Sequence, residues 1–529
     1  MKMRTLFGIR KNGENMKYRI LLLFVAFVAM SVNGIVAANF LPLANVLGEN
    51  YCLKNKFATH AVVKEFPLEG RSVFSVTANG RSVGLYNDKS HWGGLVHFGS
   101  FEFVDGHEMT LEIRYGKAIK SFELLPRSLN LRGVKRVAKN ALQVKLSKAD
   151  QNITLIVNGE PQKDVLHLFC NSIDKEAPVE ENPGYKKIES EKLYYFGPGY
   201  YSLKQLTGSD QLNVENGWRV YVAAGAVVYG NINMWGAEKG TKVYGRGMVY
   251  NDTTNRAVIM AVSSSKGGDV EGVLFHGHRA QCWQVVVNQC EHVAFNHVKI
   301  LCTRYASTDG LDVVNSENCT FRNMFIRAND DAVAIKGLQG GEPTKCRPNK
   351  NLFFEGLQLW NDCNCGFGMG AETHAAAYEN IWLRNSCILY SYDDPDHHEE
   401  MDERAALTIC CLHGTYFRNL HYENIDVYHC ERFVAIGFKP DFWFGSIQGD
   451  QTTPGAIGDV TMKNVKIYHH SGSKISNQIR LYGWHREGTP DKYVDGITFD
   501  HVGVEGKILR SASSPIFKLN ALVRNLKFK

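Results

Sequence analysis

The chain of 529 residues lacks the features that mark nucleic-acid-binding, disordered and membrane-embedded proteins. Its formal net charge is only +6, and no basic tract carries interleaved aromatic residues, so nucleic acid is not an expected partner. No segment after residue 38 is long and apolar enough to predict a membrane-spanning helix. Apolar residues make up 44% and charged residues 22%, which excludes a disordered chain and indicates a folded globular or solenoid protein.

Zinc-finger spacing is also missing, although the chain has thirteen cysteines. Their spacing is not that of a disulfide scaffold, and most of them lie among apolar, strand-like residues. We interpret them as small buried core residues, with one or two disulfide bridges as the alternative. The cysteines in strand-like surroundings are Cys282, Cys290, Cys302, Cys319, Cys363, Cys387 and Cys410. Neither a cofactor nor a metal ion is predicted.

The N-terminus has the pattern of an export signal. Lys17 and Arg19 precede the apolar run Ile20 to Met30, and Val36-Ala37-Ala38 offers a small-residue cleavage site. Because the run is too short to cross a bilayer, residues 1–38 are predicted to be a signal peptide, with a retained anchor as the alternative. The mature protein is then secreted, periplasmic or bound to the cell surface, and we predict a monomer.

Residues 39–190 alternate in short strands that turns separate. Thr110-Leu111-Glu112-Ile113 and Ile153-Thr154-Leu155-Ile156-Val157 are strand-like, and Asn158-Gly159 is typical of a hairpin turn. This pattern predicts an N-terminal β-sandwich. A polar stretch around residues 176–184 is the predicted linker to the rest of the chain.

After residue 190 a short phrase recurs. It consists of an apolar or aromatic residue, any residue, and then Asn, Gly or His, followed by alternating apolar residues. The intervals between copies vary from 20 to 45 residues, which is typical of a solenoid whose turns carry insertions. The copies begin at Phe275, Phe295, Phe321, Phe354, Leu383, Phe417, Met462 and Phe499.

The composition of the repeats distinguishes between solenoids. The repeats lack helical periodicity and are rich in Val, Ile, Phe and Asn. Each repeat is therefore predicted to contain several short strands. We therefore predict an all-β protein with a right-handed parallel β-helix over residues 191–529. Asn at a fixed place in a turn tolerates a left-handed backbone and can hydrogen-bond to the next coil. A β-propeller, the alternative, would need more even periods of about 40 residues.

Four carboxylates interrupt an apolar stretch of these repeats. Asp309 and Asp312 lie about one coil before Asp330 and Asp331. Residues one coil apart stack about 4.8 Å from each other, so Asp309 and Asp330 are predicted neighbours, and Asp331 joins them only if a turn or bulge breaks the strand alternation. Glycoside hydrolysis needs such a cluster, because one acid protonates the leaving oxygen while a carboxylate activates water. Turn capping or cation binding is the alternative, which we favour for Asp312.

The two aspartate segments resemble glycoside hydrolase family 28, the polygalacturonases. Thr308-Asp309-Gly310-Leu311-Asp312 is similar to the family's Asn-Thr-Asp-Gly-x-Asp motif, and the segment from Asn329 to Lys336 is similar to its Asp-Asp-x-Ile-Ala-Ile segment. The resemblance implies an inverting hydrolase in which Asp330 is the general acid and Asp309 and Asp331 hold the water. The two-domain layout also resembles family 49, the dextranases and isopullulanases, which makes a neutral α-linked glycan a candidate substrate.

Two segments depart from the family 28 pattern. Phe367 stands where the family's Gly-His-Gly motif has its histidine, and His374 is a candidate to supply the imidazole instead. Only Arg404 lies near the place of the family's Arg-x-Lys motif, which holds the substrate carboxylate. Lys336 is predicted to touch substrate or to pair with a carboxylate. With Asp312, these residues form the predicted substrate-binding set.

Two further features have two interpretations each. The acidic segment 393–403 is either a solvated loop or a wall or cation site of the cleft. Trp443 and Trp484 lie in loop-like sequence and are either sugar-stacking residues or buried packing residues.

The leading functional hypothesis is a secreted inverting glycoside hydrolase that cleaves an α-linked polysaccharide or oligosaccharide. A polysaccharide lyase is the second hypothesis, and the aspartate spacing disfavours it, because a lyase needs a basic residue beside a uronic acid carboxylate. The third is a non-catalytic glycan-binding protein. Changing Asp330 to Asn separates them, because a hydrolase loses turnover and keeps its fold.

Overall fold

The computed structural model describes residues 56–129, 131–177, 184–252, 258–279, 282–340, 342–393, 404–439 and 455–529. The predicted signal peptide, Trp443 and most of the acidic segment lie outside the described residues. The described chain is almost entirely β-structure, with one short α-helix, Leu203–Thr207, and two 3-10 turns, Glu189–Glu191 and Pro343–Lys345. None of its helical segments has the length and apolar character needed to cross a lipid bilayer.

Two sheets form the N-terminal part. One has five antiparallel strands in the order β3-β2-β6-β9-β8, and the other has six, in which β5 and β11 run parallel. Their strands are β1 (Phe57–Thr59), β2 (Phe74–Ala78), β3 (Arg81–Val83), β4 (Tyr86–Lys89), β5 (Leu95–Phe103), β6 (Met109–Tyr115), β7 (Phe122–Leu125), β8 (Arg132–Ala138), β9 (Ala141–Leu146), β10 (Gln151–Val157) and β11 (Val165–Ser172).

A shared apolar core makes these two sheets a β-sandwich, as predicted. Leu111 and Ile113 alternate with polar residues along β6, so that sheet turns one face inward. Leu155 and Leu168 from the six-stranded sheet meet them in the same core. Strand β10 is buried along its whole length, because its other face is covered too.

The rest of the described chain forms a parallel β-helix. Its strands build a 23-stranded and an 11-stranded sheet, parallel except at the pairs β12–β13 and β41–β42. The early coils contain β12 (Tyr185–Ile188), β13 (Leu193–Phe196), β14 (Gly199–Ser202), β15 (Gln211–Val214), β16 (Arg219–Val222), β17 (Ala226–Tyr229), β18 (Asn231–Trp235), β19 (Lys242–Gly245), β20 (Met248–Asn251), β21 (Met260–Ser263), β22 (Asp269–Glu271), β23 (Leu274–Gly277), β24 (Val285–Asn288), β25 (Ala294–Asn296) and β26 (Lys299–Cys302).

The later coils keep this arrangement with longer strands. They contain β27 (Leu311–Val314), β28 (Thr320–Arg322), β29 (Phe325–Ala328), β30 (Val333–Leu338), β31 (Asn349–Glu355), β32 (Gln358–Asn361), β33 (Phe367–His374), β34 (Tyr378–Ser391), β35 (Leu407–Cys411), β36 (Tyr416–Val427), β37 (Arg432–Phe438), β38 (Ala456–Ile467), β39 (Gln478–Tyr482), β40 (Val494–Asp500), β41 (Gly503–Val504), β42 (Lys507–Ile508), β43 (Phe517–Leu519), β44 (Val523–Arg524) and β45 (Lys527–Phe528).

Side chains that point inward stack from coil to coil. The rings of Phe295 and Phe321 lie 5.6 Å apart, and those of Phe321 and Phe354 lie 4.7 Å apart. Ten of the twelve described cysteines are buried and none of these twelve is in a disulfide, so the prediction of small core residues is confirmed for most of them. Cys282 and Cys363 are only half-buried.

Asparagine ladders hold two corners of the coils. Asn385, Asn424 and Asn464 have left-handed backbone, with φ of 51°, 55° and 53°. Asn464 donates from Nδ2 to Oδ1 of Asn424 (3.1 Å), which donates in turn to Oδ1 of Asn385 (3.0 Å). The predicted role of Asn in the turns is confirmed. A second ladder joins Asn318, Asn351, Asn380 and Asn419.

Two of the eight predicted repeat copies are out of register. Phe417 pairs with Tyr378, whereas Leu383 pairs with Tyr422. Phe275 likewise lies in β23, which pairs with β26, whereas the next copy, Phe295, lies in β25. The cause is that the phrase occurs at more than one place in a coil, so the phrase alone does not fix the register.

The outer face of the six-stranded sheet packs on the β-helix. Phe98 and Phe169 from the sandwich share an apolar cluster with Phe325 and Trp360 from β29 and β32, and the rings of Phe169 and Phe325 lie 5.2 Å apart. The burial of β10 on both faces follows from this docking. The sandwich therefore covers one side of the coils that carry the aspartates.

Candidate active site

Two neighbouring coils bring the predicted aspartates together. Asp309 precedes β27, and Asp330 and Asp331 precede β30, so all of them lie at the same edge of the 11-stranded sheet. One carboxylate oxygen from each of the three lies within 4.8 Å of the others. We call Asp309, Asp330 and Asp331 the aspartate triad.

The stacking within the triad differs from the prediction by one residue. Leu311 lies opposite Val333, and the Gly310 N–H donates to the Asp331 carbonyl (2.8 Å). The residue level with Asp309 is therefore Asp331, whereas Asp309 was predicted to stack on Asp330. Asp330 reaches the cluster from a bend just before β30, which is the predicted break in strand alternation.

Asp330 is the partly exposed member of the triad and is held by two donors. The Ser307 N–H donates to Oδ2 (2.8 Å), and Nδ2 of Asn364 donates to Oδ1 (2.8 Å). Both donor residues have left-handed backbone, with φ of 58° and 68°. A non-glycine residue in this region is uncommon and is a reason to look for function. The sequence analysis missed Asn364, although it lies one coil beyond the aspartate pair.

Asp331 is buried and bonded to Cys365, which the sequence analysis also missed. The Cys365 thiol lies 2.9 Å from Oδ1, and the backbone N–H of the same residue donates to that oxygen (3.2 Å). Burial raises the pKa of Asp331 well above its ordinary value, and the charges of Asp309 and Asp330 add to the rise. Burial and Asp331 also raise the pKa of the Cys365 thiol, so the thiol keeps its proton and donates.

Lys336 neutralises part of this negative charge. Its Nζ donates to Asp309 Oδ2 (2.7 Å) and lies 3.0 Å from Asp312 Oδ1. Burial raises the pKa of Asp309 to about 6; Lys336 opposes the rise and Asp330 adds to it. Burial alone would lower the pKa of Lys336, but the carboxylates outweigh it and raise that pKa. Of the two predicted roles for Lys336, pairing with a carboxylate is the one observed.

Two more side chains border the triad without having been predicted. The half-buried indole of Trp283 has the Lys336 ammonium 3.8 Å from its ring centre. Glu372, on β33, adds to the rise in the pKa of Asp309 through its charge. Neither residue lies in a recognisable motif, so only the stacking of coils reveals them.

Three of the predicted substrate-binding residues are buried. Phe367 is fully buried in the β-helix core and packs against Phe354 at 5.0 Å. Asp312 is fully buried beside Lys336. His374 is 2% exposed, with Nδ1 2.5 Å from the Gln339 carbonyl. We correct the prediction for these three residues, because their side chains support the core and offer no surface to a glycan.

Arg404 and Trp484 also have internal partners. Arg404 Nη1 donates to the buried carboxylate of Asp393 (2.5 Å), so its charge is paired within the protein. Trp484 is 7% exposed and packs against the β-helix core, which decides its two interpretations in favour of packing.

The triad can perform acid–base chemistry. It combines one partly exposed carboxyl with two buried carboxyls of raised pKa and a neighbouring ammonium. Environments of this kind occur where a proton must be donated and another removed.

One family model matches part of the chain. Residues 195–388 match the model of glycosyl hydrolases family 28, and this range contains the whole triad. No curated protein sequence matches the chain.

Solved structures are similar to the chain over most of its length. Dex49A from Penicillium minioluteum is 12% identical with a TM-score of 0.53, and the alignment covers 89% of this chain and 96% of Dex49A. A family 28 exopolygalacturonase from Yersinia enterocolitica is 12% identical with a TM-score of 0.46, over 80% of this chain and 97% of that one. The catalytic domain of a GH87 alpha-1,3-glucanase is 14% identical with a TM-score of 0.40, over 88% of both chains. On this evidence the protein is a glycoside hydrolase, and its similarity to family 28 extends over residues 195–388.

Proposed function

We propose that the protein hydrolyses an α-linked polysaccharide or oligosaccharide with inversion at the anomeric carbon. Asp330 acts as general acid, and Asp309 and Asp331 hold and activate the water. The observation that carries this proposal is the convergence of three carboxylates within 4.8 Å at one edge of the β-helix. Glycosidic cleavage needs a proton donor at the leaving oxygen and a carboxylate that activates water.

The exposure of the three side chains supports this division of roles. Asp330 is partly exposed and therefore reaches a bound glycan, whereas Asp309 and Asp331 are 2% and 6% exposed. A water molecule with hydrogen bonds of about 2.8 Å bridges oxygens that are up to roughly 5 Å apart. The spacing of the triad thus suits a water held between the two buried carboxylates.

The distance between the carboxylates also bears on whether the anomeric carbon is inverted or retained. The carboxylates of inverting glycosidases are generally about 6.5–9.5 Å apart, whereas retaining enzymes have about 5–5.5 Å. The triad oxygens are closer than either range. We favour inversion because a third carboxylate is present to hold the water and because the aspartate motifs resemble those of family 28.

A neutral glycan suits the charges around the triad. Lys336 pairs with Asp309 and Asp312, and Arg404 pairs with Asp393. These two cations, which the sequence analysis assigned to substrate binding, are therefore already paired within the protein. A uronate carboxylate would have to compete with those internal partners.

The test compares wild-type protein with Asp330→Asn on a panel of α-glucans and pectins. We expect wild type to release reducing sugar and the variant to be about 10²–10⁴-fold slower, the usual contribution of a general acid. Asp495→Asn, on the partly exposed Arg524–Asp495 pair, serves as the matched control and should keep full activity. Circular dichroism checks that both variants are folded.

The products decide between the alternatives. Proton NMR of the first anomer formed shows inversion or retention, and retention would reject the water-holding role of Asp309 and Asp331. An unsaturated product would identify a lyase. An Asp330→Asn variant as fast as wild type would remove the triad from catalysis.

A further inference from the structure

A second cluster of charged and imidazole side chains lies where the sandwich meets the β-helix. Asp88 ends the buried part of β4, His276 lies in β23, and His278 follows that strand; all three are fully buried. His276 Nε2 lies 3.3 Å from His278 Nδ1. Asp88 Oδ2 lies 3.7 Å from the former nitrogen and 3.5 Å from the latter.

The outer contacts of the two imidazoles bear on where their protons lie. His276 Nδ1 lies 3.1 Å from the Leu301 carbonyl, which only accepts, so Nδ1 carries the proton and Nε2 turns a lone pair inward. His278 Nε2 lies 3.3 Å from the Glu69 carboxylate, a charge contact without hydrogen-bond geometry, which is compatible with a proton on Nε2 and a lone pair on Nδ1. Asp88 Oδ2 has no hydrogen-bond donor among the described residues. With His278 in this tautomer, three acceptors face one another without a donor.

The spacing of these three atoms is that of ligands around one metal ion. Tetrahedral zinc with bonds of about 2.0–2.2 Å places its ligand atoms roughly 3.3–3.6 Å apart. The observed separations are 3.3, 3.5 and 3.7 Å. We propose that Asp88, His276 and His278 bind a zinc ion, with water as the fourth ligand. The sequence analysis predicted no metal ion, so this proposal departs from that expectation.

The surroundings contain the outer contacts that zinc-binding residues usually have. Ligating histidines commonly donate their second N–H to a carboxylate or a backbone carbonyl, as Glu69 and Leu301 allow here. Arg304 and the Lys89 N–H donate to the other Asp88 oxygen, Oδ1, at 2.9 and 2.7 Å. They leave Oδ2 directed at the imidazoles.

Two guanidinium groups already balance the negative charge around this cluster. Arg304 also contacts Glu69 at 2.6 Å, and Arg279 pairs with the same carboxylate, so two cations already balance two carboxylates. The competing arrangement is a single proton held between the facing nitrogens of the two imidazoles, with no ion bound. The experiment must therefore separate a zinc ion from a proton.

The site would act as a clamp beside the catalytic edge. Asp88 belongs to the sandwich and both histidines belong to the β-helix. The Thr303 hydroxyl donates to the Lys89 carbonyl (2.7 Å), and the chain then leads through Arg304 to Ser307, the donor to Asp330. Zinc would fix the end of β4 against the segment that enters the triad.

The decisive measurement is zinc content together with thermal unfolding. Full-length protein is purified from zinc-supplemented medium and analysed by mass spectrometry of metals. We expect about one zinc ion per chain, the stoichiometry of a three-residue site. Chelator treatment should lower Tm, and added zinc or cobalt should restore it. No bound zinc or cobalt, with a Tm that neither chelator nor metal changes, would assign the cluster to a proton and overturn the proposal.

Variants separate this site from adventitious binding. Asp88→Asn places an amide donor opposite the two imidazole lone pairs, so the cluster is satisfied without an ion. We expect this variant to lack zinc and to have a Tm that chelator leaves unchanged. Asp491→Asn removes the carboxylate 2.6 Å from the exposed His485 and should keep the zinc. If Asp88→Asn fails to fold, the chelator response of wild type still decides. Zinc retained by folded Asp88→Asn would reject the site.

Discussion

At the triad, burial makes chemically identical side chains behave differently. Asp309 and Asp331 are buried with raised pKa values, whereas Asp330 remains partly exposed between two hydrogen-bond donors. Lys336 limits the rise in the pKa of Asp309. The activity of a water-activating carboxylate depends on its being ionised, so these pKa values determine the working pH.

The pH profile should have an acid limb from Asp309. Its pKa is raised to about 6, so lowering the pH through 6 protonates it and removes its ability to activate water. We expect kcat/KM to fall about fivefold between pH 6 and pH 5 and by nearly tenfold for each further pH unit, the titration of one group. Because Lys336 lowers this pKa, Lys336→Met should move the limb to higher pH. A limb near pH 4 that Lys336→Met leaves in place would contradict the role of Asp309.

Within the coils, the asparagine ladders combine a backbone requirement with a hydrogen-bond requirement. Asn424 adopts φ of 55°, accepts from Asn464 and donates to Asn385. Its side chain is in the middle of a row that crosses several coils. Glycine satisfies the backbone requirement alone, and alanine satisfies neither.

Replacing Asn424 should separate the two contributions. We expect Asn424→Ala to lower the free energy of unfolding by about 1–3 kcal/mol, because it loses two hydrogen bonds and places a Cβ in the left-handed region. Asn424→Gly should lose less. Urea unfolding followed by circular dichroism measures both. Equal losses in the two variants would show that the backbone conformation contributes nothing.

The motif residues were predictable because the phrases and aspartates stand in the sequence itself. Register was not, since one phrase fits two places in a coil, as Phe417 and Tyr422 demonstrate. Asn364 and Cys365 were missed because their role depends on which coil stacks on Asp330 and Asp331. Phe367 was misassigned because a motif position does not say whether a side chain points into the core.

At the scale of the molecule, the sandwich and the β-helix share a buried polar contact. Arg327 is 1% exposed, donates twice to Asp362 (3.2 Å each) and stands 4.3 Å from the Trp360 ring centre. His167 from the sandwich completes the contact, 3.1 Å from Arg327 Nη1. Burial lowers the pKa of His167 well below its ordinary value, so its neutral ring accepts from the guanidinium.

Breaking this contact should destabilise the whole protein. Asp362→Ala leaves Arg327 buried without its charge partner and removes the acceptor of the Trp360 indole N–H (2.9 Å). We expect the free energy of unfolding to fall by about 3–5 kcal/mol. Asp362→Asn, which keeps an acceptor for the indole, should lose less. Asp495→Ala at a partly exposed pair should lose about 1 kcal/mol or less. Urea unfolding measures the three variants. Equal losses in the free energy of unfolding would contradict the prediction.

Because the triad lies on successive coils, the site has a regular spacing along the axis of the β-helix. Every coil advances about 4.8 Å along the axis, so a chain bound along that axis meets equivalent corners at a fixed step. The triad occupies one corner of two neighbouring coils, whose strands β27 and β30 pair directly. Changes in sugar preference can therefore arise from residues on the neighbouring coils while the triad is left unchanged.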